Sequence, residues 1–213
     1  MPIVLGILVL VALGAGTWWF LLRDGAPIQI GEPEHPVADF SFELSKVNGT
    51  APGGEVSSED VDDAAEGIRE TLDAVYVGGF VDPEKREGDT YPEVLEQFTG
   101  AASERASAEL QQFTLGTGAD QVAFVEPALG VLKIRVMFDG EGEPVGAVAT
   151  TRFVADGEMD RGGPMHVIHR GTFYLQPDGG RWAIGGYDVH GVVGAGPRLT
   201  GPGAAQPEPG PSP

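Results

Sequence analysis

The chain has no cysteine among its 213 residues. That excludes disulfides, thiolate zinc sites, a cysteine nucleophile and a lipid-modified cysteine. Basic residues are scarce: 13 Lys and Arg stand against 32 Asp and Glu, a formal net charge of −19. A sum this negative repels nucleic-acid phosphates and anionic lipid surfaces, so DNA and RNA are not expected partners. Lysine is rarer than arginine, asparagine occurs once (Asn48), and Gly and Ala abound, a bias of high-GC bacterial genomes. No cofactor-binding motif and no reaction signature occurs, so no cofactor and no enzyme activity are expected.

Charge is most completely missing at the start. Ile3 to Phe20 contains only Ile, Val, Leu, Gly, Ala, Thr, Trp and Phe, and the run extends through Leu22. About 20 such residues cross ~30 Å of hydrocarbon at ~1.5 Å each. Trp18 and Trp19 stand where an aromatic belt belongs, and Arg23 and Asp24 close the run. A cleaved signal peptide fits less well, because no Lys or Arg precedes the run and Gly14-Ala15-Gly16 lies inside it. Residues 1–23 therefore read as a single-pass transmembrane anchor. Arg23 taken alone favours a cytoplasmic domain. A start-anchored helix with a long trailing domain usually exports it, however, so an extracytoplasmic soluble domain in the cell membrane is expected.

Residues 24–56 read as a linker with one short strand, where Phe40, Phe42 and Leu44 alternate with polar residues. A helix follows: Ser57 and Asp60 resemble a capping box, and Val61, Ala64, Ala65, Ile68, Leu72, Val75 and Tyr76 make one apolar stripe until Gly78-Gly79. A second helical region starts at Thr90-Tyr91-Pro92-Glu93, with Thr90 as cap, splits at Gly100 and ends at Gly116 and Gly118. The period then changes to two. Strands are expected at 121–125, broken by Glu126-Pro127, then at 132–138, 145–154, 165–176 and 182–189. Gly185-Gly186 suggests a bulge that flips the later side chains. The tail 191–213 is rich in Gly and Pro and reads as disordered.

Helices first, then about four antiparallel strands, describe an α+β domain over 57–190 with helices on one face of a curved sheet. The stretch Val75-Tyr76-Val77-Gly78-Gly79-Phe80, the helices around Phe98 and Leu110, and the hairpin from Phe173 through Trp182 to Val189 resemble the NTF2-like (cystatin-like) superfamily. With the anchor, the layout is similar to actinobacterial Mce-associated membrane proteins. The resemblance implies a cone-shaped domain with a pocket between helices and sheet, and it brings no functional motif.

Two sets of residues are candidates for function. His169, Tyr174, Tyr187, Asp188 and His190 are pocket candidates, since an Asp near a His is raw material for acid–base chemistry. Lys133, Arg135, Arg152, His166 and Arg170 concentrate basic side chains on the sheet, and are candidates to receive an anionic ligand or acidic partner segment. The bland alternative is a solvated face paired with acids across strands. His166 and His169, three apart on a strand, point to opposite faces and make a poor metal site. Asp139-Gly140-Glu141-Gly142-Glu143 lacks EF-hand spacing and reads as a turn. The favoured function is a non-catalytic binding or scaffolding module of a cell-envelope assembly, with protein partners. The alternative is a pocket-type small-molecule binder, or an isomerase- or dehydratase-like enzyme. An open pocket with converging Asp, His and Tyr favours the second, a filled core with an exposed apolar patch the first.

Overall fold

Alternation of apolar and polar residues from Val122 onward builds four long strands, each turning back on the last. The computed structural model describes residues 38–54, 56–85 and 90–196. One sheet runs in the order β1 (Glu43–Thr50), β2 (Val122–Phe138), β3 (Pro144–Met159), β4 (Pro164–Asp178), β5 (Arg181–Ala195). Strands β2 to β5 are antiparallel neighbours, whereas β1 lies parallel to β2, with Asn48 opposite Arg135. The expected four-stranded antiparallel sheet is thus corrected to five strands in a mixed sheet. The short strand assigned to the linker is part of the sheet. All the described helices lie between β1 and β2 in sequence, and a crossover of that length permits parallel pairing.

The apolar run 3–22, expected to form a transmembrane helix, and the tail from Pro197 lie outside the described residues. Among the described residues no helix is long and apolar enough to cross a membrane.

Helix α1 (Ser58–Tyr76) starts at Ser57, whose side chain accepts the Asp60 N–H at 3.1 Å. Of the stripe, Ala64, Ala65, Ile68, Leu72, Val75 and Tyr76 are buried along one face, and Val61 is partly buried against the core. Burying side chains the size of Ile68 and Leu72 stabilises by about 1.5–3 kcal/mol each. Gly78-Gly79 does not stop the chain. A π-helical turn continues over Val77–Val81. Gly79 serves close approach: a Cβ there would sit 1.9 Å from the Phe113 carbonyl oxygen. Helix α2 (Pro92–Leu95) is preceded by Tyr91 in the left-handed region (φ 46°) with no side-chain cap, so Thr90 is not the N-cap. Gly100, at φ 55°, separates it from α3 (Ala101–Ala108), as expected.

The chain enters the sheet through Asp73 on α1. Its carboxylate accepts Phe42 N–H at 2.9 Å and Ser41 Oγ–H at 2.8 Å, and pairs with Arg69 at 2.6 Å. Burial of Asp73 raises its carboxyl pKa against these donors. Leu44, opposite the buried Leu132, is 38% exposed on this edge strand, and the register shifts between Leu44 and Lys46.

Three strand boundaries also differ from expectation. Pro127 does not break β2, because the register shifts between Pro127 and Leu129 and absorbs the missing donor in a bulge. Strand β3 runs to Met159 and β5 to Ala195, so the ordered sheet takes in residues 191–195 of the expected tail. The Gly185 bulge is present: Ile184 pairs with Leu175 and Gly186 with Tyr174, leaving Gly185 over. Inward-facing positions change from even (Trp182, Ile184) to odd (Tyr187, Val189) across it.

Candidate functional site

The inner face of the sheet is closed by aromatic rings. Tyr76, at the end of α1, stands edge-on to Phe42 at 4.8 Å and to His169 at 5.2 Å, and Phe80 and Phe153 lie 5.7 Å apart beside them. Phe113 and Phe98 carry the cluster on to Tyr187 at 4.8 and 5.6 Å.

One polar chain runs through these rings. His169, 1% exposed, has Nε2 at 2.9 Å from the Gln112 carbonyl and Nδ1 at 2.7 Å from the Tyr76 hydroxyl, which lies 2.7 Å from Thr151 Oγ1. A carbonyl only accepts, so Nε2 carries the proton and donates. Nδ1 is then the acceptor, Tyr76 donates to it, and Thr151 donates to Tyr76. Every hydrogen bond direction follows from the Gln112 carbonyl. Burial lowers the His169 pKa to about 4, with Gln112 opposing, and raises the Tyr76 hydroxyl's well above its usual value. The imidazole is neutral with both nitrogens engaged. It ties the segment after α3 to the sheet.

The five pocket candidates do not converge. His169 and Tyr187 are inside. Tyr187 donates its hydroxyl to Glu109 at 3.0 Å and lies under the Arg105 guanidinium at 4.3 Å. Burial and then Glu109 push its pKa up to about 12. Tyr174, five residues from His169 on the same strand, faces the other way and is 51% exposed. Asp188 and His190 also face outward, because the Gly185 bulge turns Tyr187 and Val189 in. They stand 3.5 Å apart and exposed. The acid–base grouping of Asp188 with His169 is therefore corrected: the sheet itself separates them. A cleft of about 830 Å³ between Tyr91, Glu109, Thr114 and Asp120 holds none of the five.

The basic candidates do share a face, the outer one. Lys133, Arg135, Arg152 and Arg170 are all exposed there. Arg152 stands directly opposite Arg170, and Arg170 opposite His190. Lys46 joins them from β1 opposite Lys133, a residue that sequence reasoning left in the linker. Among the described residues none of these Lys or Arg side chains forms an ion pair. Cross-strand neutralisation, the bland expectation, is not what this face shows. Like charges directly opposite each other cost stability. A shallow depression of about 430 Å³ runs over Thr150, Arg152, Arg170, Thr172, Asp188 and His190. His166 lies at the margin, with Nδ1 3.1 Å from the Gly196 carbonyl. It points away from His169, as expected. Asp139 is a turn residue: its carboxylate accepts the N–H of Glu141 and of Glu143, both at 2.9 Å.

No family model matches the chain, and no curated protein or solved structure matches it.

Proposed function

We propose that the protein is a single-pass membrane-anchored module whose extracytoplasmic, NTF2-like domain is a non-catalytic binding or scaffolding component of a cell-envelope assembly. The tether rests on the uncharged run 3–22. The binding role rests on a contrast between the two faces of one sheet. On the inner face, the rings of Tyr76, Phe80, Phe153 and Phe173 pack around His169, which is 1% exposed. On the outer face no described element covers the sheet, yet Tyr174 is 51% exposed and Met137 39%, on the face that also carries Lys133, Arg135, Arg152 and Arg170. An exposed aromatic ring on the same face as arginines that form no ion pair among the described residues, in a chain of net charge −19, suits an acidic segment of another protein.

The test replaces Tyr174 with a photo-crosslinking residue in the full chain in native membranes. A discrete protein adduct is expected, weakened by Arg152→Glu with Arg170→Glu and missing when the probe stands at Glu59 on the exposed side of α1. The same diffuse labelling at both positions, or an adduct indifferent to the two charge reversals, removes the reading.

A further inference from the structure

The free edge of β5 is met by the chain itself at Ile184. Ile184 donates its N–H to Gln97 at 2.8 Å and accepts that of Thr99 at 3.0 Å, so Phe98 lies beside it in a single parallel bridge. Beyond the bulge the direction of the peptide groups can be read at two points. The Tyr187 carbonyl turns away from β4 and accepts Arg105 Nη1–H at 3.3 Å. The Gly196 N–H turns toward β4 and donates to Pro164 at 2.7 Å. Odd-numbered residues therefore face outward: Gly191, Val193 and Ala195 direct N–H and C=O away from the sheet. Among the described residues no hydrogen bond reaches these groups. The strand here is exposed, Val192 at 59% and Val193 at 42%. From Val189 to Ala195 it has no proline, lysine or bulge, the usual devices that blunt an edge.

A slot of about 400 Å³ adjoins this edge, lined by Gly191–Val193, Phe80, Val167, His169, Gln111, Gln112 and residues 114–117. The His169–Gln112 hydrogen bond fixes its loop side. A side chain at Gly191 would meet the His169 ring at 2.7 Å, so glycine lets ring and edge lie together.

We propose that the β5 edge at Gly191–Ala195 accepts an extended segment of a partner protein as a sixth strand, apolar at alternate positions and basic at its ends. Alternating N–H and C=O groups along an edge are matched by another extended backbone. The slot lining holds no carboxylate, while Glu109 and Asp120 line the adjoining cleft. A second copy of this chain is disfavoured by its own net charge of −19. The proposal stands apart from the outer-face reading, since the edge groups lie in the plane of the sheet.

The test uses the full-length chain in detergent micelles and fluorescent eight-residue peptides of alternating valine and threonine, ended by lysines or by glutamates. The lysine-ended peptide is expected to bind best. N-methylation of the peptide residues that face β5 weakens it roughly tenfold or more, the loss of one or two backbone hydrogen bonds. Val193→Pro does the same with an unchanged unfolding midpoint, because the N–H it removes points outward. In the unsubstituted chain, peptide slows hydrogen exchange at Gly191, Val193 and Ala195, which keeps the test open even if the proline variant fails to fold. Equal binding of the N-methylated peptide, no binding by any peptide, or unchanged exchange at those amides overturns the proposal. A concentration-dependent dimer abolished by Val193→Pro assigns the edge to a second copy and overturns the partner assignment.

Discussion

Tyr76 shows how much one hydroxyl carries in a filled core. It donates to His169 Nδ1 and accepts from Thr151, both at 2.7 Å. Tyr76→Phe keeps the ring and leaves the histidine acceptor buried without a donor, so a loss of about 1–3 kcal/mol is expected in urea unfolding. A change below the error of the measurement would mean that water reaches the imidazole. His169 also sets a pH dependence. Its folded pKa of about 4 lies below the ordinary 6.5 of the unfolded chain. Between these values the unfolded state binds more protons, so stability rises with pH across the window. The contribution is complete above the unfolded value and is lost as pH falls toward about 4, in total about 3 kcal/mol. Urea titrations of the wild type and His169→Gln over this range should show a shallower slope in the variant. Equal slopes would place the imidazole in contact with solvent.

At the scale of elements, the bulge at Gly185 decides what β5 presents to each side. Deleting Gly185 removes the extra residue, which turns Asp188 and His190 toward the core and Tyr187 and Val189 toward solvent. That variant is expected to lose dispersed amide resonances and cooperative unfolding. Gly185→Ala keeps the count. Its new methyl would meet the Gln176 side-chain oxygen at 3.2 Å, the movable end of an exposed side chain, so it should cost no more than about 1 kcal/mol. A folded deletion variant with native stability would show that the bulge can migrate along the strand.

For the whole molecule, composition and topology point to different tasks for different regions. The uncharged run at the start and the acidic remainder suit different solvents, so the full chain is expected to stay with membranes through carbonate washing at high pH, while a chain beginning at Asp24 stays in the supernatant. Recovery of the full chain in the supernatant would remove the tether. Net repulsion among copies keeps such domains apart, and the local cluster of Arg152 and Arg170 works against that field over the short range at which a partner docks.

Local order was legible in the residues themselves. The Ser57 cap, the buried stripe of α1, the break at Gly100, the alternation of β3 and β4 and the bulge at Gly185 each follow from short-range sterics, capping and period. The assignment of residues to the two faces was legible strand by strand, as the opposition of His166 and His169 illustrates. What lay beyond reach were relations between distant segments: the parallel pairing of β1 with β2, which brings Lys46 to the basic face; the separation of Asp188 and His190 from His169; the approach of Phe113 to Gly79; and the open end of β5. Periodicity states which residues of one strand look the same way. Only pairing with a neighbour states which way that is, because a shift of one residue exchanges the faces and the energy that selects the register comes from the closed core.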